Sequence, residues 1–248
     1  GDVAAVVEGQ EAVVHLAALT DAAWSFEDSK RVERVNLLGT EQVARACIEA
    51  GVPMIFPSTT SVYGSRSAVV DEDCPARDLR PQSPYAASKL RAERRLAAMG
   101  ESGLEFVTCR FGTVFGVSPG MRFHTAVNKF VWQACMGEPL TIWRDALDQR
   151  RPYLDLDDAV RALIFIVKRR LFERRVYNVL TANATVREII GLIRPDVPGL
   201  RTRYVESRAG NRLSYAASCE KFQSLGFAFK GNLEAGIKAT IRLLAGCR

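Results

Sequence analysis

The sequence has few of the residues that bind metals or build disulfide frameworks. It contains two histidines and six cysteines, and no C-x-x-C pair occurs anywhere. Structural zinc sites need closely spaced cysteines and histidines, and disulfide frameworks need a denser set of cysteines. We therefore expect no metal site. We expect reduced thiols at Cys47, Cys74, Cys109, Cys135, Cys219 and Cys247.

Long hydrophobic runs are also missing. A representative run, ALIFIV at residues 162–167, is far shorter than the roughly 20 apolar residues of a membrane-spanning helix. The chain opens on GDVAAVVEG, which has neither the basic nor the apolar region of a secretory signal. These features predict a cytoplasmic protein that does not bind membranes.

The net charge of +6 is not gathered into one basic patch. The densest run, KRRLFERR at residues 168–175, follows an apolar helical segment and is most simply its solvated end. Nucleic-acid sites usually combine clustered basic residues with interleaved aromatics. We therefore expect no nucleic-acid partner, and the charge fits anionic small ligands better.

Short apolar runs alternate with helical patterns through the first half of the chain. The strands EAVVHLAA, PMIFPSTT and LEFVTCRFG are separated by helices predicted at residues 26–50 and 84–99. This alternation is typical of βαβ units, which form a parallel sheet of the α/β class. The second half mixes helices with single strands, and GVSPG at residues 116–120 predicts a domain boundary.

Tyr85 and Lys89 in SPYAASK stand four residues apart, so a helix presents both on one face. Ser83 and Pro84 suit the N-cap and first helical positions. A nearby ammonium favours the phenolate, which could bring the tyrosine into the range of general acid-base catalysis. Taken alone, the spacing also fits an ordinary helix face with one aromatic and one charge.

The hydroxyl cluster in PSTTSVYG supports the catalytic interpretation. It follows an apolar strand, and ligands of open α/β folds bind at the carboxyl edge of the parallel sheet. The ordinary alternative, capping of a strand-to-loop turn, explains one hydroxyl but not the whole group.

Several motifs together resemble one family. HLAA, PSTTSVYG, SPYAASK, RFGTVFG, RPYLDLDDA and LGF…NLEAGIKATI occur in the order and at about the spacing seen in extended short-chain dehydrogenase/reductases. The nearest subgroup is the nucleotide-sugar epimerase/dehydratase family, and the resemblance covers nearly the whole chain.

The resemblance implies a Rossmann-like doubly wound parallel sheet with a smaller α/β substrate domain. It assigns residues 1–116 and about 152–182 to dinucleotide binding, and about 117–151 and 183–248 to substrate binding. It also implies a homodimer formed through the helix of residues 26–50 and the Tyr85 helix.

The resemblance also implies catalytic roles. Tyr85 would be the acid-base residue, Lys89 would hold the nicotinamide ribose and lower the tyrosine pKa, and Thr59 would bind the reacting sugar hydroxyl. A base takes the hydroxyl proton while hydride leaves the same carbon for NAD, giving a transient ketone.

Further residues match the family's binding positions. For the cofactor, which is NAD with NADP left open, they are Leu16, Ala17, Ala18, Asn36, Ser58 and Phe111, together with Tyr85 and Lys89. For a nucleotide-diphosphate sugar they are Thr20, Thr60, Ser61, Thr113, His124, Arg144, Gln149, Arg151 and Tyr153. His124 also suits a packed histidine at a helix start, and Arg150 suits a solvated loop arginine better than Arg151 does.

The chain departs from the family in its missing glycine-rich fingerprint. No G-x-G-x-x-G opens a helix anywhere, and the strand EAVVHLAA would lack its neighbour in a doubly wound sheet. We therefore expect this sequence to be part of a longer chain, with the first strands and the phosphate cradle outside it.

Other departures bear on the reaction. Thr60 and Ser61 stand where the sugar 4,6-dehydratases carry an Asp-Glu pair, and Ser61 stands where 3,5-epimerase/reductases carry a cysteine. Thr113 replaces the usual asparagine of R-x-x-N, a contact to the substrate diphosphate. Simple 4-epimerisation is therefore favoured. An NAD(P)-dependent nucleotide-sugar reductase or dehydratase, and a nucleotide-sensing member without turnover, remain the alternatives.

Overall fold

The computed structural model describes residues 2–64, 69–206 and 214–246. The strands are β1 (Val13–Val14), β2 (Met54–Thr59), β3 (Val69–Val70), β4 (Phe106–Phe111), β5 (Thr113–Phe115), β6 (Leu140–Trp143), β7 (Arg150–Asp155), β8 (Glu173–Val179), β9 (Ala182–Thr185), β10 (Thr202–Val205) and β11 (Ala216–Ala217). The α-helices are α1 (Asp2–Val7), α2 (Ser29–Glu33), α3 (Gly39–Ala50), α4 (Pro84–Gly100), α5 (Ala126–Cys135), α6 (Leu156–Arg169), α7 (Val186–Ile193), α8 (Glu220–Ser224) and α9 (Leu233–Ala245).

The described residues divide into two compact units. The first unit comprises residues 2–64, 71–111 and 161–179, and the second comprises residues 69–70, 112–160, 180–206 and 214–246.

A parallel sheet in the order β1-β2-β4-β8 forms the centre of the first unit. Every residue of β2 is buried, and so are the first five residues of β4. Strands that are covered on both faces read as continuous apolar runs, which is why PMIFPSTT and LEFVTCRFG stood out in the sequence. The predicted parallel α/β sheet is confirmed. Thr59 and Phe111 are the last residues of β2 and β4, and they pair with each other across the two strands.

Strand β1 is shorter than the predicted EAVVHLAA, because only Val13 and Val14 pair with β2. Among the described residues β2 is its only strand neighbour. An apolar hollow of about 450 Å³ lies beside β1 and is lined by α1, β1 and Val43 of α3. Leu16, just beyond the strand, is 65% exposed.

The helix predicted at residues 26–50 has more structure than the periodicity shows. Asp28 caps α2 by accepting from the Arg31 N–H at 2.9 Å, and a π-helical segment at Arg34–Leu38 joins α2 to α3. The helix ends at Gly51, whose φ of 65° is the left-handed conformation that glycine adopts readily. The predicted end at residue 50 is therefore confirmed. The predicted start at residue 26 is too early, because α2 begins at Ser29.

The second unit is built around α5, α7 and α9. Strands β5, β7 and β9 form a mixed three-stranded sheet, and β6 pairs with β10 and β3 with β11. Helix α7 begins with a capping box, in which Thr185 and Glu188 satisfy each other's backbone N–H. Helix α9 is capped by Asn232, which accepts from Ala235 N–H at 2.9 Å.

The division between the units differs from the predicted boundaries. The chain passes from the first unit to the second at Phe111–Gly112, and residues 152–160 and 180–182 also belong to the second unit. The reason is packing: Phe115 and Tyr153, on β5 and β7, lie in the hydrophobic core that α5, α7 and α9 form. The assignment of cofactor and substrate roles to the two parts stays a prediction.

The described cysteines fit the expected thiols. Cys47, Cys74, Cys109, Cys135 and Cys219 form no disulfide with one another, and Cys247 lies outside the described residues. No helix within residues 2–64, 69–206 and 214–246 combines the length and apolar character that crossing a membrane requires.

Candidate active site

The first turn of α4 holds Tyr85 in place. Ser83 accepts from the Ala86 N–H at 3.2 Å as the N-cap, and Pro84 occupies the first helical position. The Tyr85 N–H, which has no partner inside the helix, donates to Ser25 Oγ at 3.2 Å. The predicted helix start is confirmed, and it fixes the backbone of the tyrosine.

Lys89 lies one turn further along α4 and is 4% exposed. Its Nζ donates to the Pro57 carbonyl of β2 at 2.8 Å and lies 4.5 Å from the centre of the Phe56 ring. Burial lowers the pKa of Lys89 to about 8, while the negative charge of Glu93 raises it. The ammonium is therefore attached to the strand that ends in Thr59.

Thr59 ends β2 and is hydrogen-bonded through its side chain to Tyr85. Its hydroxyl oxygen also accepts from the Ser61 N–H at 3.1 Å. The structure thus brings the three predicted catalytic residues, Thr59, Tyr85 and Lys89, to the junction of β2 and α4.

The expected lowering of the Tyr85 pKa by Lys89 is wrong for the chain by itself. Tyr85 keeps part of its surface exposed, yet enough protein surrounds the hydroxyl for burial to raise its pKa to about 12. The hydrogen bond with Thr59 lowers the pKa but does not outweigh burial. The phenol is therefore protonated at neutral pH unless further positive charge lies beside it.

The predicted cofactor residues next to β1 have two different environments. Leu16 and Ala17 are exposed and Ala18 is half-buried, whereas Asn36 is buried in the π-helical segment. The Asn36 amide accepts from the Leu19 N–H at 2.8 Å and donates to the Leu19 carbonyl and to Ser88 Oγ, each at 3.0 Å. Asn36 therefore ties the segment after β1 to α4.

The other candidates of the first unit lie at the strand ends. Thr60 Oγ1 donates to the Phe111 carbonyl at 3.3 Å, Ser61 is half-buried in the following 3-10 turn, and Thr20 is half-buried. Ser58 is buried and its hydroxyl donates to Glu93. Its proposed role as a cofactor contact stays a prediction.

Sequence reasoning missed a buried ionic cluster beside these residues. Glu93 of α4 pairs with Arg110 of β4 at 2.7 Å, and the Arg110 guanidinium also donates to the Tyr63 hydroxyl at 3.0 Å. Two signals were available: Glu93 continues the four-residue spacing of Tyr85 and Lys89, and Arg110 interrupts an apolar strand.

The substrate candidates of the second unit lie on several elements. Thr113 pairs with Tyr153 between β5 and β7, and Tyr153 is buried, which raises its pKa to about 12. His124 is exposed in the turn before α5. Arg144 pairs weakly with the exposed Glu206, at 3.4 Å.

The three residues 149–151 show different contacts. Arg151 donates to Gln149 Oε1 at 3.0 Å and stacks over the Tyr215 ring at 5.2 Å. Arg150 pairs with the surface residue Glu188 at 3.2 Å. Arg150 is thus the solvated arginine of the two, as the sequence indicated.

In the part of the chain that the structure describes, no group of three or more His, Cys, Asp or Glu side chains is arranged to hold a metal ion.

Comparison with known proteins decides the family. Residues 1–179 match the model of the NAD dependent epimerase/dehydratase family. The chain belongs to the NAD-dependent epimerase/dehydratase family.

Two relatives illustrate the range of this family. The chain is 34% identical to a dTDP-glucose 4,6-dehydratase of Streptomyces griseus, over 95% of this chain and 72% of the relative. It is 31% identical to a trifunctional UDP-glucose 4,6-dehydratase/UDP-4-keto-6-deoxy-D-glucose 3,5-epimerase/UDP-4-keto-L-rhamnose-reductase of Arabidopsis thaliana. That match covers 95% of this chain but 36% of the plant protein, so the chain spans about a third of its length.

Two solved structures share the fold. MoeE5 in complex with UDP-glucuronic acid and NAD is 31% identical, with a TM-score of 0.87 over 100% of this chain and 83% of that one. The UDP-glucose 4-epimerase of Thermus thermophilus in complex with NAD is 27% identical, with a TM-score of 0.85 over 96% and 78%. The family, the fold class and NAD as the family's cofactor are confirmed.

Proposed function

We propose that the protein epimerises a nucleotide-diphosphate sugar at carbon 4 with NAD as its cofactor, by transient oxidation and re-reduction. The observation that carries this proposal is the meeting of Thr59, Tyr85 and Lys89 at the junction of β2 and α4. A carbinol oxidation needs a group that takes one proton and later returns it, and Tyr85 is the candidate.

The hydrogen bond between Thr59 and Tyr85 supports this role. A sugar hydroxyl at the same place could bind both side chains, which would orient its proton toward the phenolic oxygen. Since the pKa of Tyr85 alone is about 12, the proton-accepting form needs additional positive charge close by. Lys89 is already present in the chain, so an oxidised nicotinamide ring bound beside Tyr85 would have to supply that charge.

The residues present fit one side of an NAD site. An ammonium has three N–H donors, and the bond to Pro57 uses one, so Lys89 suits the hydroxyls of a ribose. The exposed Leu16 and Ala17 suit an apolar contact at the end of β1. When bound, NAD accepts a hydride from the sugar carbon and later returns it.

Thr60 and Ser61 favour epimerisation over water elimination. Elimination needs an acid and a base at the sugar, and hydroxyls with ordinary pKa values serve poorly as either. The dehydratase relatives make this the rival to test, because the S. griseus enzyme is 34% identical to this chain.

Residues of the second unit would contact the nucleotide and diphosphate. Arg151 is our first candidate for the diphosphate, because a guanidinium binds phosphate oxygens bidentately. Further candidates for these contacts are Gln149, Arg144, Thr113 and His124. We also propose that the protein is a homodimer and that it is cytoplasmic.

The test is incubation of the protein with NAD and UDP-glucose or dTDP-glucose in D₂O, followed by NMR of the sugar. We expect the 4-epimer, with no deuterium on any sugar carbon and no net change in the cofactor. A 4-keto-6-deoxy product that has lost water and gained deuterium on carbon would identify a dehydratase. Net oxidation of NAD(P)H in a parallel incubation with a 4-keto-sugar nucleotide would identify a reductase.

A binding protein without turnover is the remaining alternative. It would retain NAD or the sugar nucleotide in native mass spectrometry, yet give none of these products. Tyr85→Phe would then leave its cellular role intact.

A further inference from the structure

Helix α4 carries a row of three side chains on one face. Tyr85, Lys89 and Glu93 follow each other at spacings of four, and residues four apart on a helix are neighbours. Lys89 is 4% and Glu93 6% exposed, so two opposite charges are buried side by side. The proposed function uses Tyr85 and Lys89 and leaves Glu93 without a role.

The carboxylate of Glu93 is fixed from two strands. From β4, Arg110 donates through Nε to Oε1 at 3.1 Å and to Oε2 at 3.2 Å, and through Nη2 to Oε2 at 2.7 Å. From β2, the Ser58 hydroxyl donates to Oε1. Charge-assisted bonds in this fork geometry are strong and directional, so the carboxylate cannot change its orientation easily.

Arg110 is itself held in place. Its guanidinium lies 4.9 Å from the centre of the Tyr63 ring and donates to the Tyr63 hydroxyl at 3.0 Å. That hydroxyl donates in turn to Asn178 Oδ1 of β8 at 2.8 Å. The negative charge next to Lys89 is thus fixed by three of the four strands of the sheet.

Stability alone is a weak reason for such a cluster. Replacing a buried ion pair by packed apolar residues is often neutral or stabilising. Here the pair adjoins a third buried charge, and burial already pulls the pKa of Lys89 down to about 8. Without Glu93 the ammonium would lose the negative charge that opposes this effect.

The other charged or titratable groups around Lys89 do not replace Glu93. His15, at the end of β1, has a pKa lowered to about 4 by burial and by Lys89, so it is neutral near pH 7. Arg110 of β4 is a cation, and Tyr85 is a neutral phenol below a pKa of about 12. Phe56 contributes only its ring face.

We propose that Glu93 is a positioning residue for Lys89: its fixed carboxylate stabilises the buried ammonium and helps to hold it against β2, where Lys89 binds Pro57 and Glu93 binds Ser58. The catalytic meaning of this arrangement rests on the proposed function, but the electrostatic statement can be tested without it.

The test is an NMR titration of the Lys89 side chain in the full chain, without added nucleotide. Lysine-selective ¹³C labelling gives the signal, and Lys89→Arg assigns it. In Glu93→Gln, which keeps the shape and removes the charge, we expect the Lys89 midpoint to fall by about one pH unit or more. Glu93→Asp keeps the charge and should recover most of the shift.

A matched control is an ion pair between α3 and α4. Glu41 of α3 pairs with Arg95 of α4 at 3.0 Å, so Glu41→Gln removes a carboxylate from an arginine of α4 away from Lys89. It should leave the midpoint in place. The alkaline limit of NAD binding, measured by calorimetry across pH, should move with the midpoint in Glu93→Gln and stay in Glu41→Gln.

If Glu93→Gln does not fold, Glu93→Gln/Arg110→Gln removes both charges and should still lower the midpoint, by less. An unchanged midpoint in either variant, or an equal shift in Glu41→Gln, would overturn the proposal. A shifted midpoint in a protein that turns over no sugar nucleotide supports the role of Glu93 while rejecting the proposed reaction.

Discussion

Both compact units bury a carboxylate, and they hold it in different ways. Glu93 of the first unit is bound by the guanidinium of Arg110 and the hydroxyl of Ser58. Asp158 of the second unit accepts from the N–H groups of Lys230 and Gly231, at 2.9 and 2.8 Å, and from the Thr181 hydroxyl at 2.8 Å.

The difference separates two uses of buried charge. Backbone N–H groups belong to a loop, so Asp158 fixes the chain that leads into α9. Glu93 instead lies among side chains, one of which is the ionisable Lys89. The negative charge of Glu93 raises the pKa of Lys89. Changes in the first unit should therefore affect rate and pH dependence, and changes at Asp158 should affect the free energy of unfolding.

Tyr85→Phe should have the largest effect. It removes the proposed proton carrier and should lower the turnover of the sugar nucleotide about 10³-fold, within the range of general acid-base catalysis. The free energy of unfolding should change by about 1 kcal/mol, because one hydrogen bond to Thr59 is lost. Turnover by NMR and thermal unfolding check the two statements. Retention of a tenth of the activity would contradict the role.

Asp158→Ala should mainly destabilise the fold. Three donors would lose their acceptor, and we expect the free energy of unfolding to fall by about 3 kcal/mol. Chemical denaturation measures this change. Asp157→Ala is the control, because Asp157 is exposed on the first turn of the same helix. A change of the Lys89 titration midpoint in Asp158→Ala would contradict the distinction between the two buried carboxylates.

Raising the pH should reduce activity and increase stability at once. Lys89 loses its proton through a pKa of about 8, so about a tenth of the ammonium remains at pH 9 and activity should fall about tenfold. Burial depresses this pKa, so the unfolded chain binds the proton more tightly, and the contribution to stability rises with pH from about 8. The wild type compared with Lys89→Gln between pH 7 and 9 isolates both effects.

Arg151→Ala and Arg150→Ala form the finest comparison within the second unit. Arg151→Ala removes the proposed diphosphate contact and should raise the KM about fivefold. That change corresponds to somewhat less than the free energy of a full charged hydrogen bond. Arg150→Ala breaks a half-exposed ion pair with Glu188 and should leave the KM unchanged, with at most about 1 kcal/mol of stability lost. Equal KM values for both variants would remove Arg151 from the candidate site.

The elements of the fold were predictable where local chemistry determines them. Ser83 and Pro84 start α4, Gly51 ends α3, and the buried strands β2 and β4 are unbroken apolar runs. The meeting of Thr59 with Tyr85 also followed from the sequence, through the carboxyl end of one strand and the first turn of the next helix.

Long-range contacts and their energies were not predictable in this way. The Glu93–Arg110 pair forms because β4 lies beside β2, which the separate motifs do not reveal. The high pKa of Tyr85 depends on how many atoms surround its hydroxyl. The boundary between the units at Phe111–Gly112 depends on Phe115, which packs into the hydrophobic core of the second unit.

The π-helical segment at Arg34–Leu38 helps to keep the buried side chains of the helix on one face. The buried positions Val32, Asn36, Thr40 and Ala44 recur every four residues, whereas each such step in an α-helix overshoots a full turn by about 40°. A π turn winds more slowly, because its hydrogen bonds reach one residue further, and so it absorbs part of that drift. Deleting one residue from this segment would rotate the rest of the helix by about 100° and aim its buried face at solvent.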